Sequence, residues 1–112
     1  MATREIPTNE WPMFFANCTR EHRGQPVTIR VFGADIGAQE EARMLPFVGI
    51  SGDWKDGENQ IFITLGDQST DHLTHTIADP AHLRLRQAEG AVEETMEIEA
   101  ANGDRTLVSF DL

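Results

Sequence analysis

Four histidines, one cysteine and a dense run of glutamates are the residues of this chain with chemistry to offer. His72 and His75, with Asp67 and Asp71 just upstream and His82 shortly after Pro80, invite a metal reading, since zinc takes imidazole and carboxylate ligands. The spacing argues against it. An H-x-x-H pair shares one face of a helix, but a three-residue step along a strand sends two side chains to opposite faces. Thr74, Thr76 and Ile77 favour a strand here. His75 is therefore expected to be partly buried and hydrogen-bonded, and His72 solvated.

Other constellations fare no better. Asp53-Trp54-Lys55-Asp56-Gly57-Glu58-Asn59 looks like a calcium loop, but Lys55 stands at the third position, where an oxygen ligand belongs, and glycine comes one position early. Asp56-Gly57 reads instead as the tip of a hairpin. Cys18 and His22 lie four apart on one helical face, which permits a Cys–His pair, although a buried structural thiol is the commoner outcome. Gly33-Ala34-Asp35-Ile36-Gly37 is a turn, too short for a phosphate-cradling or dinucleotide motif. No catalytic, cofactor-binding or metal-binding residue is assigned.

Two features point to contacts with other molecules. Glu93, Glu97 and Glu99 alternate with Met96, Ile98 and Ala100, so a strand there presents carboxylates on one side. That face is either solvated or a dock for an arginine-rich partner. Trp54, beside the hairpin tip, is expected to be exposed unless the helix or a second subunit covers it, which makes it a contact anchor.

The elements that hold these residues can be read from periodicity. A helix is expected from Glu10 to His22: Thr8 and Asn9 are good N-caps, Pro12 falls in the first turn, and Gly24 suits the position after the last turn. Trp11, Phe14, Phe15 and Cys18 form its apolar stripe. After Pro26 the period changes from 3.6 to 2. Strands are expected from Val27 to an end at Gly33, from about Glu41 through a bend at Pro46 to Ser51, and at Gln60–Gly66. Three more regions follow, around Leu73–Ile77, Leu83–Leu85, and Thr95–Ala100 with Arg105–Phe110. Ala78-Asp79-Pro80 forces a corner, and Asn102-Gly103 signals a type I′ turn. The fold class is α+β, mainly β: an amphipathic helix followed by a six- or seven-stranded antiparallel sheet. Closure into a small SH3-like or Sm-like barrel would remove its edges, with an open helix-on-sheet layer as the alternative.

The 112 residues suit one domain, 1–112. Nineteen acidic against nine basic residues give a net charge of −10, which repels phosphate backbones and anionic membranes. The lone cysteine and the absence of an apolar leader or spanning segment make the cytoplasm the expected compartment.

Gly49-Ile50-Ser51, the strand Ile61-Phe62-Ile63-Thr64-Leu65 and the corner His75-Thr76-Ile77-Ala78-Asp79-Pro80 resemble a family of small prokaryotic proteins of unknown function. Ile6-Pro7, Glu10-Trp11, Phe14-Phe15, Gly24 and Pro26-Val27 resemble its start. The resemblance implies a complete domain in which His75 and Pro80 matter, and no activity. The leading expectation is a non-enzymatic module that binds a protein or itself. The alternatives are a single-stranded nucleic-acid-binding barrel using Arg30, Arg84 and Arg86, and a metal-dependent enzyme using His72, His75 and His82.

Overall fold

The computed structural model describes residues 2–33, 37–54, 59–66, 72–87 and 93–111. Among these residues eight strands and one α-helix follow in chain order: β1 (Ala2–Glu5), α1 (Trp11–His22), β2 (Pro26–Gly33), β3 (Gly37–Asp53), β4 (Gln60–Leu65), β5 (Leu73–Ala78), β6 (Pro80–Gln87), β7 (Glu93–Ala100) and β8 (Arg105–Asp111). All pairings are antiparallel, in the order β1-β6-β7-β8-β2-β3-β4-β5. The expected helix-plus-sheet class is correct. The count of six or seven strands is not: β1 is an addition no periodicity announces, and β3 begins at Gly37, not near Glu41.

The order has two ends, β1 and β5, so hydrogen bonding does not close the sheet into the expected barrel. The sheet is nonetheless rolled, because two continuous stretches of chain turn from one layer into another. In β3, the first half pairs with β2 and the second with β4. The bend falls where Met44 takes a φ of 51°, just before Pro46, and the ladder slips there. The Met44 N–H, turned out of the ladder, donates to the Thr28 hydroxyl at 3.2 Å.

The second bend is at Asp79, with φ 50°. Ala78 pairs with Gln60 of β4, whereas Pro80 pairs with Ala100 of β7. Asp79 ties the two layers together through its backbone: its N–H donates to the Asn59 carbonyl at 2.9 Å and its carbonyl accepts from Ala101 N–H at 2.8 Å. The corner expected at Ala78-Asp79-Pro80 is there, and Asp79 is its hinge.

The helix covers the inner face with Trp11, Phe15, Cys18 and His22. Beneath it lie Val27, Ile29, Phe47, Ile63, Met96, Ile98, Val108 and Phe110. At roughly 25 cal/mol per Å² of apolar surface removed from water, this shared interior is the main source of stability. Trp11 is 2% exposed and satisfies its indole N–H on the Ile6 carbonyl at 2.9 Å. The helix start differs from expectation. Thr8–Glu10 forms one 3₁₀ turn, and the cap residue is Glu10, with no side-chain capping bond. Gly24, with φ 86°, takes the left-handed conformation expected after the helix.

The Asn102-Gly103 hairpin is also corrected. Gly103 N–H bonds to the Ala100 carbonyl and Ala100 N–H to the Asp104 carbonyl, and only Gly103 has positive φ, at 95°. That is a type I turn closed by a glycine bulge, not a type I′ turn, which needs positive φ at both central residues. The Asn102 side chain supplies the reason by accepting the Asp104 N–H at 2.9 Å. At the other expected hairpin, Asp53 pairs with Gln60, but the tip at residues 55–58 lies outside the described residues. So do Asp67, Asp71, Glu89 and the 34–36 turn.

Candidate functional site

The residues singled out by chemistry fall in four places. The first is the outer face of β1, β6 and β7. Arg84 Nη1 reaches Glu97 Oε2 and Glu99 Oε1, both at 2.9 Å, and its Nε stands 3.4 Å from Glu5 Oε1. Arg86 Nη2 holds Glu97 Oε1 at 2.7 Å, and His82 Nδ1 lies 3.1 Å from Glu5 Oε2. Glu97 and Glu99 share the outer face while Met96 and Ile98 are buried, as alternation requires. The expected solvated carboxylate face fails at Glu97, which is 3% exposed because both arginines fold across it. Glu93 opens β7, paired with Asp111.

The hydrogen bond from Arg84 holds the Glu99 carboxyl below its ordinary range, and the bond to His82, with Arg84 behind it, does the same to Glu5. Arg84 is raised by its bonds to Glu99 and Glu97. Arg30 shares this side of the sheet, 3.8 Å from Glu40. The arginines named for a nucleic-acid surface are thus each matched to a carboxylate.

The second place is a cleft of about 220 Å³ between α1 and the sheet, lined by Arg4, Cys18, Glu21, His22 and Phe110 among others. Cys18 and His22 do share the buried helical face. His22, however, bonds through Nδ1 to the Gln25 side chain and stacks on Phe110, with ring centres 4.1 Å apart. It locks the helix end to β8.

The third place is Trp54. It is 38% exposed and rests against Trp11, with ring centres 5.7 Å apart. The helix therefore covers part of it, and a Cβ on Gly52 would collide with its ring at Cζ2. Sequence alone left the cover undecided between helix and second subunit.

The fourth place is β5. His75 faces inward with Leu73 and Ile77, at a cleft of about 220 Å³ shared with Val31, Asn102, Asp104 and Thr106. Burial pushes the His75 imidazole below its ordinary 6.5, against a weaker opposing pull from Glu41. His72 precedes the strand and His82 lies on the outer face of β6, so the three histidines do not converge. Among the described residues, no three of His, Cys, Asp and Glu gather as a metal site.

What sequence reasoning missed here is the edge itself. Among the described residues β5 pairs with β4 alone. Which of its backbone groups face outward follows from a contact two strands away. Thr19 Oγ1 takes both the N–H and the carbonyl of Ile50, so Ile50 points away from β4, and Ile50 opposite Ile63 is a non-hydrogen-bonded pair. Ile63 must then point toward β5 and bond to His75. Strand alternation leaves Thr74 and Thr76 with N–H and carbonyl directed outward. A signal was available: His72–Ala78 carries no Asp, Glu, Lys or Arg in a chain that is 25% charged.

The described residues make a mainly β chain, with one helix laid over an open, rolled antiparallel sheet in which β5 pairs with β4 alone. The chain belongs to a family of unknown function (DUF5335), whose model matches residues 2–112. It is 29% identical over 108 residues to an uncharacterized protein of Aquifex aeolicus (strain VF5), spanning 96% of this chain and 91% of that protein. No solved structure matches it. No helix among the described residues is long and apolar enough to cross a membrane.

Proposed function

We propose that this protein is a non-enzymatic module that binds a protein or a second copy of itself. The observation that carries this reading is the β5 edge, which among the described residues pairs with β4 alone and carries no Asp, Glu, Lys or Arg. Proteins ordinarily blunt such edges with charge, proline, bulges or brevity. The opposite edge follows that rule, since β1 has four residues and includes Arg4 and Glu5. Strand β5 has six, with no charge, no proline and an unbroken register with β4. An edge of this kind takes an added strand through backbone hydrogen bonds. Trp54 and Met13, both exposed apolar side chains, add contact surface elsewhere.

The carboxylates of the outer face play a different part in this reading. Those at Glu97 and Glu99 are matched by Arg84, so they serve the sheet before any partner. The test is sedimentation of the purified chain through the micromolar range, with retention of a partner by immobilised wild type and by the Thr76→Lys variant. The module reading expects self-association, or a protein held by wild type and lost by the variant. A strict monomer that holds nothing the variant does not also hold would end it.

A further inference from the structure

We infer that the occupant of the β5 edge is a second copy of this chain, paired antiparallel about a two-fold axis at His75. The inference rests on the module reading and names its partner. Leu73-Thr74-His75-Thr76-Ile77 reads almost identically in both directions. A two-fold contact brings residue i against j and j against i, so a near-palindromic edge is complementary to itself. Centred on His75, each Thr74 meets Thr76 of the second copy, and each Leu73 meets Ile77.

The backbone agrees with that register. Thr74 and Thr76 are the residues whose N–H and carbonyl groups point outward, so each Thr74–Thr76 pair exchanges two hydrogen bonds. His75 bonds inward to β4, and falls opposite His75 of the second copy at a non-hydrogen-bonded position, where Cα atoms stand about 4.5 Å apart. A register centred on Thr74 keeps one threonine pair and sets Leu73 against a histidine. Threonine pairing is already used inside the sheet, where the Thr64 and Thr74 hydroxyls lie 3.4 Å apart.

Charge selects the same seam. Two chains of net charge −10 repel, and His72–Ala78 is a stretch where they can meet without placing like charges opposite each other. Among the described residues, Glu41 from β3 acts on His75 and Asp104 from the β7–β8 turn lines the same cleft. With neutral imidazoles the axis is uncharged. Protonating both sets two cations against each other, so the pairing weakens as the solution is acidified through the histidine range.

The experiment is charge complementation, read by analytical ultracentrifugation at neutral pH. Thr74 and Thr76 are exposed, so Thr74→Lys/Thr76→Lys and Thr74→Glu/Thr76→Glu alter the edge without disturbing the interior. Wild type is expected to dimerise, and each double variant to do so roughly tenfold or more weakly, because like charges face each other across the seam. An equimolar mixture of the two is expected to regain a dimer containing one of each. Should a double variant fail to fold, Thr76→Lys mixed with Thr74→Glu asks the same question, since each Thr76 faces Thr74 of the second copy. Variants that dimerise as wild type does would overturn the edge pairing while leaving assembly through another surface intact. A monomeric wild type would also overturn it, leaving the module reading to its own retention test.

Discussion

The Thr19 hydroxyl of α1 takes both backbone groups of Ile50, accepting its N–H at 3.0 Å and donating to its carbonyl at 3.2 Å. One side chain thereby substitutes for a neighbouring strand along the second half of β3. Gly24 and Gln25 continue the cover by bonding the Phe47 carbonyl and N–H. This edge is closed by the helix, and its phase fixes which groups of β5 stay open.

Replacing Thr19 by Val leaves two partly buried groups of Ile50 unpaired and is expected to destabilise the fold by about 1–3 kcal/mol, whereas Thr19→Ser keeps the hydroxyl and most of the stability. Urea unfolding of the two variants separates the outcomes. A loss in Thr19→Ser with none in Thr19→Val would show that the methyl group matters and the hydroxyl does not.

Gly49 tests the same contact from the strand side. A Cβ there would lie 3.2 Å from Thr19 Cγ2, so Gly49→Ala requires Thr19 to yield by a few tenths of an ångström, and a cost of about 1 kcal/mol, at the low end for overpacking, is expected. Thr19→Ser removes that methyl. The double variant should recover part of the loss, and simple additivity would mean the two residues do not meet.

How much of this was legible depended on whether a feature is local. The Trp11-Phe15-Cys18 stripe, the Ile61-Ile63-Leu65 strand and the Ala78-Asp79-Pro80 corner follow from spacing and proline chemistry, and all three stand. Strand β1 was missed because four residues with Arg4 and Glu5 carry no alternation, and only pairing with β6 makes them a strand. Closure was over-read, since the bends at Met44 and Asp79 roll the sheet without hydrogen-bonding its ends. Glu97 was misread for a related reason: the arginines that bury it come from β6, a relation set by register and invisible to periodicity.

Glu97 carries the charge lattice of the outer face. Glu97→Gln keeps the shape but leaves Arg84 and Arg86 without their shared partner. Both arginines retain solvent contact, so the expected loss is about 1–3 kcal/mol, below the figure for a fully buried pair. Calorimetric melting of the variant measures it, and an unchanged melting temperature would make the lattice ornamental.

Acid stability follows from the same groups. Glu5 and Glu99 have folded pKa values below the ordinary 4.5. Their contribution is present above the unfolded value and is lost as pH falls through the folded one. Glu99→Gln should flatten that acid limb of the melting profile. His75, also lowered on folding, acts higher: its contribution is present above 6.5 and lost as pH falls below it. His75→Asn should remove that upper step and leave the carboxylate limb. A profile in which His75→Asn changes nothing below 6.5 would contradict the burial of the imidazole.

Hydrogen exchange at the Thr74 and Thr76 amides reads the edge pairing itself, with His75, bonded to Ile63, as the internal reference. In dilute protein the two threonine amides should exchange as open groups and His75 as a protected one. Raising the concentration should slow Thr74 and Thr76 together and leave His75 unchanged. Threonine amides that exchange at the same rate at every concentration would contradict the account.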